Sequence, residues 1–124
     1  MSQGLILLAH GARDAAWAAP FEAVAAQVRQ RQAGVAVRLA YLEFMAPALR
    51  AAGAALAAHG CTRVTVLPLF LGAGGHVRKD VPALLAQLTQ AHPQVAWRLE
   101  TAVGEDAGVI SAMAVAACNA LVVA

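Results

Sequence analysis

Charge is scarce in this chain. Only 13% of its 124 residues are Asp, Glu, Lys or Arg, and nine cations against seven anions leave a formal net charge of +2. So small a balance gives no electrostatic footprint for nucleic acid. Aromatic side chains are equally few, two Trp, one Tyr and three Phe, which leaves little material for a base-stacking platform. Two cysteines, Cys61 and Cys118, make no disulfide framework. They read as reduced, space-filling thiols of a cytoplasmic protein. The opening Met1-Ser2-Gln3-Gly4 lacks a basic start, and the apolar stretch 5–9 is too short for a signal peptide. One segment, 107–124, runs without a charge for eighteen residues, close to the lower limit of a membrane span. It is dominated by alanine, is broken by Gly108, Ser111 and Asn119, and has no aromatic or basic flank at its end. The expectation is therefore a helix buried in the core or in a subunit contact, and no membrane association.

Linkers and low-complexity tracts are missing as well, so the chain reads as a single domain, 1–124. A chain of this length buries roughly two-thirds of its unfolded surface. Its apolar content, 60%, is arranged in alternating strand-length and helix-length periods. Residues 4–9 form an unbroken apolar run ending at His10-Gly11. Trp17, Phe21, Val24 and Val28 then recur at helical spacing, Arg29 and Arg31 suit the negative end of that helix, and Gly34 terminates it. Residues 35–41 read as a second strand. Pro47 fits the first turn of the next helix, whose apolar side is Leu49 and Leu56 and which ends at His59-Gly60. A third strand lies within 61–70, and its Val64-Thr65-Val66-Leu67 core lacks the polar alternation of a half-wet strand. Asp80 reads as an N-cap with Pro82 in the first turn, followed by Leu84, Leu85 and Leu88 facing inward, and His92-Pro93 stops that helix. Residues 94–101 alternate in the manner of an edge strand, and Gly104-Glu105-Asp106 introduces a last helix with Ile110, Met113, Ala117 and Leu121 on one side. The pattern β-α-β-α-β-α-β-α predicts an α/β fold with a four-stranded parallel sheet covered by helices on both faces.

Three potential metal ligands fall at matching places in that pattern. His10 follows strand one, Glu43 strand two and His76 strand three, and 33 residues separate each from the next, about one βαβ unit. Parallel strands share a carboxyl edge, and ligands of open α/β sheets bind there. His76 is expected in a glycine loop past the third strand, where Gly72, Gly74 and Gly75 open unusual backbone angles and leave no side chain to crowd a ligand. Two imidazoles and a carboxylate suit a borderline cation such as Fe²⁺, Co²⁺ or Ni²⁺. Arg13, Arg78 and Lys79, on the same loops, are placed to meet an anionic ligand at the rim. His59 and His92, at helix ends, read as structural.

These residues resemble a family. His10-Gly11-Ala12-Arg13 is similar to a His-Gly-Ser-Arg opening, with Ala12 in place of the usual serine. Tyr41-Leu42-Glu43 with Pro47, Pro68-Leu69-Phe70-Leu71 through Gly74-Gly75-His76-Val77, Asp80-Val81-Pro82 and Val103-Gly104-Glu105-Asp106 follow in order. Together they resemble the small class II chelatases, the sirohydrochlorin cobaltochelatase and ferrochelatase group, over most of the chain. The resemblance implies a single-lobe chelatase fold of flavodoxin-like type in three layers. It implies ATP-independent insertion of Co²⁺ or Fe²⁺, with Ni²⁺ a further option, into sirohydrochlorin on the route to cobalamin or sirohaem. It further implies metal and catalytic roles for His10 and His76, with Glu43 as the acidic ligand. Arg13, Gly74, Gly75, Arg78 and Lys79 are expected at the substrate, a homodimer is expected, and no cofactor is needed beyond the substrate metal. A non-catalytic metal or tetrapyrrole carrier is the alternative on the same residues. A histidine phosphatase wants arginine where Ala9 stands. Gly72-Ala73-Gly74-Gly75 fits no dinucleotide fingerprint, and a Walker lysine is absent.

Overall fold

The computed structural model describes residues 2–72 and 74–122, and of His76 the backbone alone. Four strands, β1 (Gln3–Ala9), β2 (Val35–Tyr41), β3 (Arg63–Pro68) and β4 (Ala96–Leu99), alternate with helices α1 (Ala19–Arg31), α2 (Leu49–Ala58), α3 (Gly75–Ala91) and α4 (Ala107–Asn119). Short 3-10 turns at Ala15–Ala18 and Val103–Glu105 lead into α1 and α4. All three strand pairings are parallel, in the order β2-β1-β3-β4. The chain thus leaves β1 toward one edge and β3 toward the other. That reversal opens a crevice between the carboxyl ends of the two central strands.

The period of two in each strand divides the sheet into two apolar faces. On one face Leu7 and Val37 are buried beneath Ala25 of α1, with Leu5, Val28, Leu39 and Leu67 packed round them. On the other, Ile6, Leu8, Val64 and Val66 meet Leu49, Ala52 and Leu56 of α2 and Val81 and Leu88 of α3. Tyr41 is buried as well, and that burial, with the Glu22 carboxylate nearby, holds its phenol above the ordinary range. In β4, Trp97 and Leu99 are half-buried while Ala96 and Arg98 are exposed, the wet-faced edge strand that its alternation predicts.

Several local expectations are corrected. Val24 is 41% exposed and Ala25 takes its place against the sheet, because the stripe on α1 is narrower than the periodic apolar residues suggest. α2 starts at Leu49 with Ala48 as its cap, so Pro47 lies before the helix. The largest shift is in α3, which begins at Gly75 with Gly74 as N-cap, so Asp80 is no cap and Pro82 lies inside the helix. The cause is packing. Val77, Val81, Leu84, Leu85 and Leu88 form one continuous stripe against the core, and a stripe that reaches back to Val77 draws the helix start with it. α4 contributes no buried residue: Ile110 is 51% and Met113 41% exposed. It is not a core helix, and Cys118, exposed upon it, fills no space, whereas Cys61 is buried. Both thiols are free. Among the described residues no helix is long and apolar enough to cross a membrane.

Candidate metal-handling site

The loop after β1 and the loop after β2 are tied by continuation of the strand ladder. The Leu42 N–H donates to the Ala9 carbonyl at 3.1 Å and the Glu43 N–H to the His10 carbonyl at 3.0 Å. His10 and Glu43, 33 residues apart in sequence, are thereby neighbours in space. The approach depends on Gly11, whose φ of +94° belongs to glycine and whose missing Cβ would overlap the Glu43 carbonyl oxygen. β3 is extended in the same way, the Leu69 N–H donating to the Leu8 carbonyl at 2.8 Å. This delivers Phe70, whose ring lies 4.3 Å from the His10 ring, centroid to centroid. From the turn after β4, the Gly104 N–H reaches the Phe70 carbonyl at 2.9 Å, and a Cβ on Gly104 would overlap the Leu71 carbonyl.

His10, Leu42, Glu43, Val77, Asp80 and Leu84 enclose a cavity of about 410 Å³ at this edge. A second cavity of about 240 Å³ adjoins it across Val77 and is lined by Pro68, Phe70, Arg78, Val81, Pro82, Leu99, Ala102 and Glu105. Arg13 stands over the ring of Phe44, 4.9 Å from its centroid. Phe44 itself is 58% exposed and has a φ of +65°, unusual for a bulky residue. An imidazole and two carboxylates therefore line one cavity, and the Arg13–Phe44 pair belongs to the same two loops as His10 and Glu43.

The residues expected at the site divide as follows. His10 and Glu43 come together, Arg78 borders the second cavity, and Arg13 stands over Phe44 without lining either cavity. His76 is the second residue of α3 and not a loop residue; it directly precedes Val77, which borders both cavities, and its side chain lies outside the described residues. Among the described residues no three His, Cys, Asp or Glu side chains are placed to hold one metal ion. Gly74 and Gly75 have open space where a Cβ would stand, but the freedom used there is steric: Gly74 has φ −73° and ψ 171°, angles open to any residue. Lys79 is exposed and borders neither cavity. Sequence patterns overlooked Phe44, Phe70 and Asp80. The signal for Asp80 was its position four residues after His76, which matters only once both lie on a helix.

These features define a class: parallel α/β proteins that carry an imidazole and a carboxylate on the strand tips beside the crevice where the sheet reverses direction. Within that class the chain belongs to the CbiX family, whose model matches residues 4–120. It is similar to a sirohydrochlorin cobaltochelatase of Methanosarcina acetivorans, 30% identical over 83 residues, which are 67% of this chain and 64% of that protein. The match thus spans less than two-thirds of that relative's length. A solved CbiX protein of Marinobacter aquaeolei VT8, described under cobalamin (vitamin B12) biosynthesis, is 35% identical with a TM-score of 0.82 over 94% of this chain and 95% of that one. SirB from Bacillus subtilis, solved with Fe³⁺, has a TM-score of 0.84 at 21% identity, covering 99% of this chain and 49% of that chain. That likeness is one of fold.

Proposed function

We propose that this chain inserts a divalent metal, Co²⁺ or Fe²⁺ with Ni²⁺ a further option, into sirohydrochlorin without ATP, as a cytoplasmic chelatase of cobalamin or sirohaem synthesis. The observation that carries the reading is the backbone-bonded pairing of His10 with Glu43 at the mouth of a cavity on the sheet's carboxyl edge. Membership of the CbiX family and relatives named sirohydrochlorin cobaltochelatase support it.

Insertion exchanges two pyrrole N–H protons for metal–nitrogen bonds, so the site must carry a cation in and protons away. Neutral imidazole does both near pH 7: a lone pair binds the cation and, once the cation has passed to the ring, accepts a proton. His10 and His76 take these roles, and Glu43 offsets positive charge. The exposed His10 and Glu43 side chains hold the ion on an open face, from which it is able to leave for the macrocycle. Sirohydrochlorin is a flat polyanion. Phe44 offers it an apolar surface, Arg13, Arg78 and Lys79 its carboxylates' counter-charges, and Gly74 and Gly75 room for close approach. Nothing beyond the substrate metal is required as a cofactor.

The deciding measurement is anaerobic incubation with sirohydrochlorin and each metal, following the visible spectrum against a protein-free control. Faster metallation with turnover supports the chelatase; stoichiometric binding without turnover supports the carrier. Arg78→Ala is expected to raise KM for sirohydrochlorin by about tenfold, the loss of one charge-assisted contact, with kcat little changed; an unchanged KM places Arg78 away from the substrate. A homodimer is part of the proposal, since α4 exposes an uncharged surface to water. Light scattering is expected to give twice the chain mass, and Ile110→Arg with Met113→Glu to halve it; a wild-type mass of one chain removes the dimer.

A further inference from the structure

We infer that Asp80 is a metal-handling residue of this site, a second carboxylate that gathers the incoming divalent cation for His10 and Glu43; the inference rests on the proposed metal insertion. Three observations place it. Because α3 begins at Gly75, Asp80 lies in its second turn, four residues beyond His76, and positions four apart share a helix face. Asp80 lines the same cavity as His10 and Glu43, reaching it from the opposite wall, α3, while they come from the loops after β1 and β2. And among the described residues neither the Asp80 nor the Glu43 carboxylate makes an ion pair.

The rest of that cavity wall is Leu42, Val77 and Leu84. Carboxylates set in apolar walls focus their field into the space between them, and such a cleft raises the local concentration of counter-ions and their on-rate by about 10–10³-fold. No three described donors converge on a single point, so Asp80 does not join His10 and Glu43 in one coordination sphere. It acts earlier, on the cation still carrying its water, to which a carboxylate oxygen binds through hydrogen bonds. Imidazole, the better donor for borderline divalent ions, then takes the metal directly.

The test separates metal capture from chemistry. Initial rates are measured for wild type, Asp80→Asn, Asp80→Gln and Asp80→Glu while Co²⁺ and sirohydrochlorin are varied in turn, with Glu22→Gln on α1 as a charge control and circular dichroism as the check on folding. Expected is a rise of about tenfold in KM for Co²⁺ in both neutral variants, the low end of the focusing effect, with kcat and KM for sirohydrochlorin within about twofold. Asp80→Glu keeps the carboxylate charge and is expected near wild type, and added salt is expected to weaken capture less in the neutral variants than in wild type. A KM for Co²⁺ unchanged in both neutral variants overturns the inference. So does a fall in kcat alone, or a rise matched by Glu22→Gln. If wild type does not metallate sirohydrochlorin, the proposed function fails by itself. Calorimetry with Co²⁺ alone still judges Asp80: about tenfold weaker binding in Asp80→Asn sustains its role in capture, and equal binding removes it.

Discussion

His10→Ala is expected to lower kcat for metal insertion by at least about 100-fold, the low end of what one positioned acid–base group supplies. The fold is expected to survive. His10 is exposed, and its one ring contact among the described residues, with Phe70 at 4.3 Å, is worth about 0.5–1.5 kcal/mol. Thermal unfolding is thus expected to move by only a few degrees, since a domain near this size loses about 3–6 °C per kcal/mol. The comparison with His10→Gln sharpens the reading, because glutamine preserves bulk and hydrogen bonding but neither accepts a proton near pH 7 nor binds a borderline cation well. Both variants are expected to fail alike. Near-normal turnover in either, with the spectrum of the metallated product, removes His10 from the mechanism. His76→Ala is expected to behave as His10→Ala does in the same spectral assay.

Gly11→Ala is expected to be almost as damaging, by a route that never touches the metal. Gly11 and Gly60 share a φ of +94°, but a Cβ on Gly60 meets nothing within 4 Å, whereas one on Gly11 overlaps the Glu43 carbonyl oxygen. Both alanine variants therefore bear a backbone strain of about 1–3 kcal/mol. Only Gly11→Ala must also push apart the His10 and Glu43 loops, whose link is the 3.0 Å Glu43 N–H to His10 carbonyl bond. A displacement near 1 Å at a reacting centre costs about 100-fold in rate. Paired measurements of melting temperature and turnover are the check. Gly60→Ala is expected to lose a few degrees and keep its activity, and Gly11→Ala to lose more of both. Equal activity in the two would show that the spacing of the His10 and Glu43 loops does not govern insertion.

The positions of the imidazoles and the acid relative to the strands were legible because sequence period and burial are linked. A run such as Leu5-Ile6-Leu7-Leu8-Ala9 has no wet face, which makes it an inner parallel strand, and three strand-length runs followed by His10, Glu43 and the glycine segment set a common edge. Alternation at Val95, Trp97 and Leu99 marked β4 as the sheet's border for the same reason. What local pattern does not contain is the start of α3. Asp80 and Pro82 carry a strong helix-start signal, yet the stripe from Val77 to Leu88 packs on the core, and the apolar burial of a further turn outweighs a cap worth about 1 kcal/mol.

By itself, then, the chain determined its α/β class, the number of its strands and the edge to which His10 and His76 belong, because hydrophobic period dictates which side chains leave water. Only the tertiary structure decided that β1 and β3 lie side by side at the reversal, that Gly11 lets Glu43 hydrogen-bond to His10, that Asp80 turns toward the same cavity, and that α4 remains outside the core. Each of these depends on contacts between residues distant in sequence, and a linear pattern records spacing along the chain, not which distant segments meet.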